Sequence, residues 1–464
     1  MKKVQIIYSL AVVVLLALGS SCGDRLDVLP TDNIQTNVSL STSKDVEAYL
    51  IGAYDGLQGA NANGDTYAGG FQYTSELLGD NGEIRFGGSF ANLLELSART
   101  VPTNNLTAET QWTRSYNVIN RCNTVLSALD TVLASKRARV EAEALFIRGA
   151  LYFELTRLYG KQWGDGDNAV NLAVPIILTP TTLFSDKDKV ARNTVAQVYA
   201  QSIADLIKAE AGLPVSNGAY ATKGAAAAIL ARLYLQQGNF VEAAAAANRV
   251  ISLTRYSLAA TFAGAFNTKL NSGGGNPAEY VFAIQVNDQD GFNGMNTFFG
   301  ITINSIPGSA GRGDMRIQAA HTALYDSLDA RGKYFIRTSA TSTRLYTQKF
   351  LDRFGHVPVV RLAEMYLTRA EANFRQSTTV GATPVSDINR TRNRAGLPSL
   401  TTVTLADILR ERRLELAFEG FRLHDVKRTR ASVGALPWND NKLVLPIPQR
   451  ETDVNKSLVQ NPGY

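Results

Sequence analysis

Apolar residues recur at helical spacing along most of the chain, and the places where that spacing fails divide it into parts. The pattern predicts helices over 43–57, 112–129, 142–159, 195–212, 222–237, 241–253, 360–374, 385–394 and 405–418. The strongest is 142–159. Leu145, Leu151, Phe153, Leu155 and Leu158 widen its apolar arc beyond one stripe, so it must pack on more than one side, and Gly160 stops it. Two long stretches lose the period. Residues 58–100 are rich in Gly, Asn and aromatics, a composition suited to irregular chain with stiff aromatic surfaces. Residues 261–358 hold a strand-like run at 279–286 and an aromatic, Asn-rich loop at 291–304. Residues 161–194 read as loop with a strand-like piece at 173–178, and 443–464 as extended chain.

Residues 223–251 form a recognisable unit. Small residues (Ala227, Ala231, Ala243, Ala247) oppose large ones (Leu230, Tyr234, Phe240) around a turn at Gly238 and Asn239. That spacing lets two antiparallel helices pack closely, and it resembles one tetratricopeptide unit. The predicted fold class is therefore mostly α: a tetratricopeptide-like helical-repeat scaffold, a single domain from 22 to 464, with long irregular insertions at 58–100 and 261–358 and minor β. Loops that long in a compact domain are usually functional.

The first 21 residues stand apart. Lys2 and Lys3 precede an apolar run at 4–18, then Gly19, Ser20, Ser21 and Cys22. This is a secretory signal, too short for a permanent spanning helix, and a cysteine at its exit is the acceptor for bacterial lipidation. Cys22 would then tether the chain to a membrane by acyl chains. Cys122, the second of two cysteines, is left without a partner and reads as a small buried hydrophobe.

Apolar content of 45% and charged content of 19% describe an ordinary globular chain. The net charge of +6 is modest, and its basic excess falls at 390–430, where Arg alternates with Glu and Asp. That alternation reads as internal ion pairs, not as a nucleic-acid stripe. Glu411, Glu415 and Glu419 share one helical row. Three carboxylates on one helix do not flank a cleft as glycosidase carboxylates do, so the row reads as structural, paired with Arg361, Arg392 or Arg422. His321, His356 and His424 lack ligand spacing, so no transition-metal site is expected, although loop oxygens leave calcium open. No phosphate loop, nucleophile elbow or Ser/His/Asp trio is present, and no cofactor is expected. Arg312, Gly313 and Asp314 spell an adhesion tripeptide at near-chance frequency.

Taken in order, Cys22, Trp112 and Tyr116 ahead of INRCN, AEALFIRGALYFELTRLYG, PVVRLAEMYLTRAEA, INRTRNRAGL, ERRLELAFEGFRLHD, LPIP and the terminal QNPGY resemble the SusD-like (RagB/SusD) family. Each motif is weak alone; their order from 22 to 464 is specific. The resemblance implies a surface-exposed outer-membrane lipoprotein of Bacteroidetes-type bacteria that is not an enzyme. It implies four tetratricopeptide-like units, a SusC-like TonB-dependent transporter as partner, and an oligosaccharide, or in the RagB-like branch a peptide, as ligand. It also implies that the two insertions flank the ligand face.

Sugar rings stack their C–H faces on flat side chains, while Asn, Asp and Arg bond the hydroxyls. The first insertion offers Tyr67, Phe71, Tyr73, Asp80, Asn81, Arg85, Phe86 and Phe90. The second offers Phe292, Asn293, Asn296, Phe298, Phe299 and Arg312. For any one of these aromatics, filling a local core is the competing role. Trp112, Trp163 and Trp438 all lie outside both insertions, which keeps a peptide ligand in play beside a glycan. The rival of another class is a secreted hydrolase using Asp80 and Glu83, and a third is a helical protein gripping only the partner barrel.

Overall fold

The computed structural model describes residues 40–59, 66–183, 185–266, 275–291 and 293–464. Cys22, the signal segment and Phe292 lie outside the described residues. The scaffold is a succession of helices, each packed on its predecessor. They are α1 (Ser43–Gln58), α4 (Leu106–Ser127), α5 (Ala134–Tyr159), α6 (Val195–Gly212), α7 (Lys223–Gln237), α8 (Phe240–Ile251), α11 (Leu362–Gln376) and α12 (Pro384–Arg394). α13 (Leu405–Glu415) closes the series against α11.

Local chemistry sets the helix ends. Thr42 and Asp45 form a reciprocal capping box, with Asp45 N donating to Thr42 Oγ1 at 3.2 Å and Thr42 N to Asp45 Oδ2 at 2.9 Å. α7 ends at Gly238 in the left-handed region (φ 73°), where a side chain would be strained, and Asn239 then caps α8. The hairpin read from the sequence is thus present. In α5 every residue from Ala142 to Tyr159 is buried, as its wide apolar arc requires.

The strand-like piece at 173–178 forms no strand among the described residues. Pro175 has no N–H for a ladder. The first two residues of the piece bond the backbone of Asn193, and side chains of α4 and α5 serve carbonyls further on: Tyr116 Oη donates to Pro175 O (2.7 Å), Asn123 Nδ2 to Ile177 O (2.9 Å) and Tyr152 Oη to Ile177 O (2.8 Å). Asn123 is one asparagine of INRCN; the other, Asn120, donates to Thr181 O at 3.1 Å just beyond the piece. The tail docks as expected of extended chain, with Leu445 N on Leu158 O (2.8 Å) and Asn461 Nδ2 on Tyr159 O (2.8 Å), although Gln449–Val454 adds a short helix, α15.

The insertions are more regular than their composition suggests. The first holds α2 (Gly70–Leu78), β1 (Ile84–Phe86) and α3 (Ala91–Ala98). The second holds β2 (Tyr280–Ile284), α9 (Gly294–Phe299), β3 (Met315–Ile317), α10 (Ala319–Thr322), β4 (Phe335–Ile336) and β5 (Tyr346–Thr347), and β6 (Val357–Arg361) leads from it into α11. α14 (Arg422–Arg428) follows α13. Every residue of α2 and of α9 is buried, so neither shows the polar–apolar alternation that marks a helix in sequence. Among the described residues three two-stranded antiparallel sheets result, β1–β3, β2–β6 and β4–β5.

Candidate functional site

The two insertions meet as one body. β1 pairs with β3 in the register Ile84↔Ile317, Arg85↔Arg316, Phe86↔Met315. Gly87 N donates to Asp314 O at 2.7 Å and Gly294 N to Ala68 O at 2.8 Å. Beneath this joint, Phe298 receives Tyr73 edge-on at 5.1 Å and Phe90 at 5.7 Å. Above it, the Arg312 guanidinium lies 4.8 Å from the Phe90 ring centre, and its Nε donates to Asp314 Oδ2 at 2.8 Å. The adhesion-like tripeptide is therefore folded back on itself as an ion pair.

The candidate residues divide by exposure. Tyr67, Phe71, Tyr73, Phe86, Phe298 and Phe299 are buried, so these rings floor the face and present no stacking surface. Tyr67 stands edge-to-face with Phe71 at 5.2 Å, and its hydroxyl donates to Glu154 Oε1 at 3.2 Å. Asn293 and Asn296 are also buried. Asn293 caps α9, accepting from Asn296 N at 2.7 Å, and Asn296 Nδ2 donates to Ala310 O (3.0 Å) and Phe350 O (2.8 Å). Asp80 accepts from the amides of Gly82 (3.0 Å), Glu83 (2.8 Å) and Ile84 (2.9 Å). Asn81 is exposed, but its Nδ2 donates to Ser432 O at 3.0 Å. The residues left facing solvent at the joint are Arg85, Arg312 and the half-buried Phe90. The half-buried Arg316 joins them, and Asp314 lies buried behind Arg312. The sequence signal for Arg316 was only the alternation of Met315, Arg316 and Ile317.

A cleft of about 480 Å³ opens beside this face, between β1, the 321–324 turn, α13 and α14. Its floor is apolar (Leu414, Leu416, Phe418, Phe421), and it contains Asp80 and Glu83, the pair a hydrolase would use. Burial would raise the Glu83 carboxyl. His321, whose Nδ1 is 2.8 Å away, together with Arg422 and Arg413, outweighs that and holds it at about 2. A carboxyl so held does not carry a proton to a leaving group at neutral pH. Asp80 is committed to three amides. The geometry thus gives this pair a structural role.

Glu76 in the same wall behaves oppositely. Burial is the main cause that lifts its carboxyl to about 7, against the amides of Gly420 and Phe421 that it accepts at 2.8 and 3.1 Å. The folded state therefore binds this proton more tightly than the unfolded chain, and stability is lost as pH rises from about 4.5 through about 7. Glu76→Gln keeps the acceptor oxygen and removes the titration. It is expected to stabilise the protein by about 1–3 kcal/mol at pH 8 and to change little at pH 5, read by urea unfolding at both.

The three glutamates form a buried ion network, but α13 ends at Glu415 and Phe418 takes the left-handed region (φ 66°), so Glu419 lies in the turn beyond and not on the predicted helical row. Glu411 meets Arg331 at 2.6 Å and Arg392 at 3.7 Å; Glu415 meets Arg361 at 3.1 Å and also Arg394; Glu419 meets Arg361 at 2.7 Å and Lys349 at 2.6 Å. The expected partners Arg361 and Arg392 are there. Arg422 turns to Glu83 instead, at 3.5 Å. Arg331, Arg394 and Lys349 were not legible as partners, because they reach the row from distant segments.

Packed helical hairpins carrying two excursions joined by β1–β3 define an α-helical repeat protein with a composite loop face. The family model described as "Starch-binding associating with outer membrane" matches residues 24–235, and that described as "SusD family" matches 329–441. A SusD-like protein of Formosa agariphila is 26% identical over 527 residues, spanning 98% of this chain and 99% of that one. The starch-binding protein SusD of Bacteroides thetaiotaomicron is 34% identical over 122 residues, 23% of this chain and 21% of its own. The solved structure of a putative sugar binding protein from Bacteroides vulgatus superposes with a TM-score of 0.80 at 27% identity, covering 92% of this chain and 99% of that one. The chain belongs to the SusD/RagB family. Among the described residues no helix is long and apolar enough to cross a membrane.

Proposed function

We propose that the protein is a nutrient-binding lipoprotein of the outer membrane, anchored through Cys22 and facing the cell exterior. It captures an oligosaccharide on the composite face and delivers it, chemically unchanged, to a TonB-dependent transporter of the SusC type. The family description and the sugar-binding relative support the ligand class. The observation that carries the reading is the β1–β3 joint, which brings Arg85, Phe90 and Arg312 from two remote insertions onto one surface. Asp80 and Glu83, each held in structural bonds, favour binding over hydrolysis.

The peptide reading keeps one specific support. Trp112 is buried, and Trp163 and Trp438 are half-buried outside the insertions, so no indole is offered at the face. Calorimetry with a panel of neutral and acidic oligosaccharides and of mixed peptides separates the two. Phe90→Ala removes the platform under Arg312 and is expected to weaken oligosaccharide binding about tenfold with the helical CD spectrum unchanged. Heat from peptides alone would overturn the glycan assignment, and full oligosaccharide affinity in Phe90→Ala would remove this face from the site.

A further inference from the structure

We propose that the oligosaccharide taken by the composite face is anionic, bearing carboxylate or sulfate groups, and that Arg85 and Arg316 meet them. The inference rests on the reading of that face as the receptor surface. Arg85 and Arg316 are direct partners across β1–β3. Ile84, Phe86, Met315 and Ile317 turn inward, so the two arginines project together on the outward side. Like charges placed directly opposite in an antiparallel pair destabilise it.

Elsewhere in this protein, arginines that approach one another share carboxylates, as Arg361 and Arg394 share Glu279 and Glu415. Nothing comparable lies between Arg85 and Arg316. The Arg85 side chain has no ion pair or hydrogen bond among the described residues. Arg316 makes one long hydrogen bond, from a terminal nitrogen to Gly87 O at 3.3 Å, and its Nε is buried without an acceptor. Its path is nonetheless built. The guanidinium lies flat over Gly87, where a Cβ would sit 2.3 Å from Arg316 Cζ. Arg312 adds a third cation, 47% exposed, and among the described residues Asp314 is the one carboxylate that pairs with any of the three.

Three planar guanidiniums against one carboxylate, that of Arg312 lying over Phe90, fit the forked geometry of a carboxylate or sulfate oxygen pair. A neutral sugar would leave the Arg85–Arg316 repulsion uncompensated, and an anionic one cancels it on binding.

The test is calorimetry with an oligogalacturonate, a sulfated carrageenan oligosaccharide and maltohexaose. It uses wild type and Arg85→Gln, at about 50 mM and about 500 mM salt. At least one anionic probe is expected to bind about tenfold tighter than maltohexaose at low salt, with the gap narrowing at high salt. The galacturonate and carrageenan arms tell carboxylate from sulfate. Arg85→Gln is expected to weaken the anionic probe about tenfold and maltohexaose by much less, and to melt no lower than wild type because the repulsion is relieved. Equal affinity for all three probes, or an anionic affinity indifferent to Arg85→Gln, overturns this inference while leaving the glycan reading intact. Binding of none of them, with binding of peptides, overturns both.

Discussion

Arg361→Ala is expected to cost about 3–5 kcal/mol of stability, the range for breaking a buried ion pair from one side. Arg361 is 2% exposed and joins three carboxylates: Glu279 at 2.5 Å, Glu415 at 3.1 Å and Glu419 at 2.7 Å. These come from the chain just before β2 and from the end of α13 with the turn after it, so one guanidinium fastens two remote segments to the strand β6. Burial alone would raise Glu415; Arg394, Arg361 and Arg331 outweigh it and hold the carboxyl below the usual range. Burial likewise opposes Glu419, and Arg361 and Lys349 hold it down.

In wild type this depression is stability present above about pH 4.5 and lost as pH falls towards the folded values. Removing Arg361 takes one cation from both carboxylates and leaves burial less opposed. The variant should therefore lose most at pH 7–8 and least near pH 4, in urea titrations followed by CD. A loss of under 1 kcal/mol at pH 7 would show that solvent reaches the network.

Gly69→Ala is the second large effect, at about 2–4 kcal/mol. Gly69 has φ 142°, a conformation that side chains rarely adopt, and a Cβ there would stand 2.8 Å from both Gly294 Cα and Met295 N. Both obstacles are backbone at the start of α9, so no side chain can swing aside. The clash falls on the contact where the first insertion meets the second. The expected signature is faster amide exchange at 84–86 and 315–317 than in α5, with weakened ligand binding. Uniform protection across the molecule would show that the joint absorbs a methyl group without opening.

The repeat scaffold was legible because its helices bury one face or, like α5, a wide arc, and both leave a period in the sequence. The α7–α8 hairpin was readable to its turn, since Gly238 and Asn239 are the residues a left-handed stop and a cap require. The insertions hid their order for the opposite reason. GFQYTSELL and GMNTFF are buried on every side, so nothing in their spacing distinguishes helix from loop. The candidate aromatics were chosen by residue type, and type does not say which way a ring turns; Tyr73 and Phe299 went to the interior, whereas Phe90 stayed at the edge. The ion network was half visible. A row of glutamates at i, i+4 announces itself, but the cations that answer it arrive through tertiary contacts that no local pattern encodes.

The pairing of Ile84 with Ile317 carries a further consequence for biogenesis. A chain exported from its N-terminus can pack α1, α4 and α5 early, because their contacts are close in sequence. Residues 84–86 must then wait, with one strand edge open, until more than two hundred further residues have emerged. If the composite face is the receptor surface, it is completed late, after most of the polypeptide has crossed the membrane, and a prematurely terminated product would be helical yet blind.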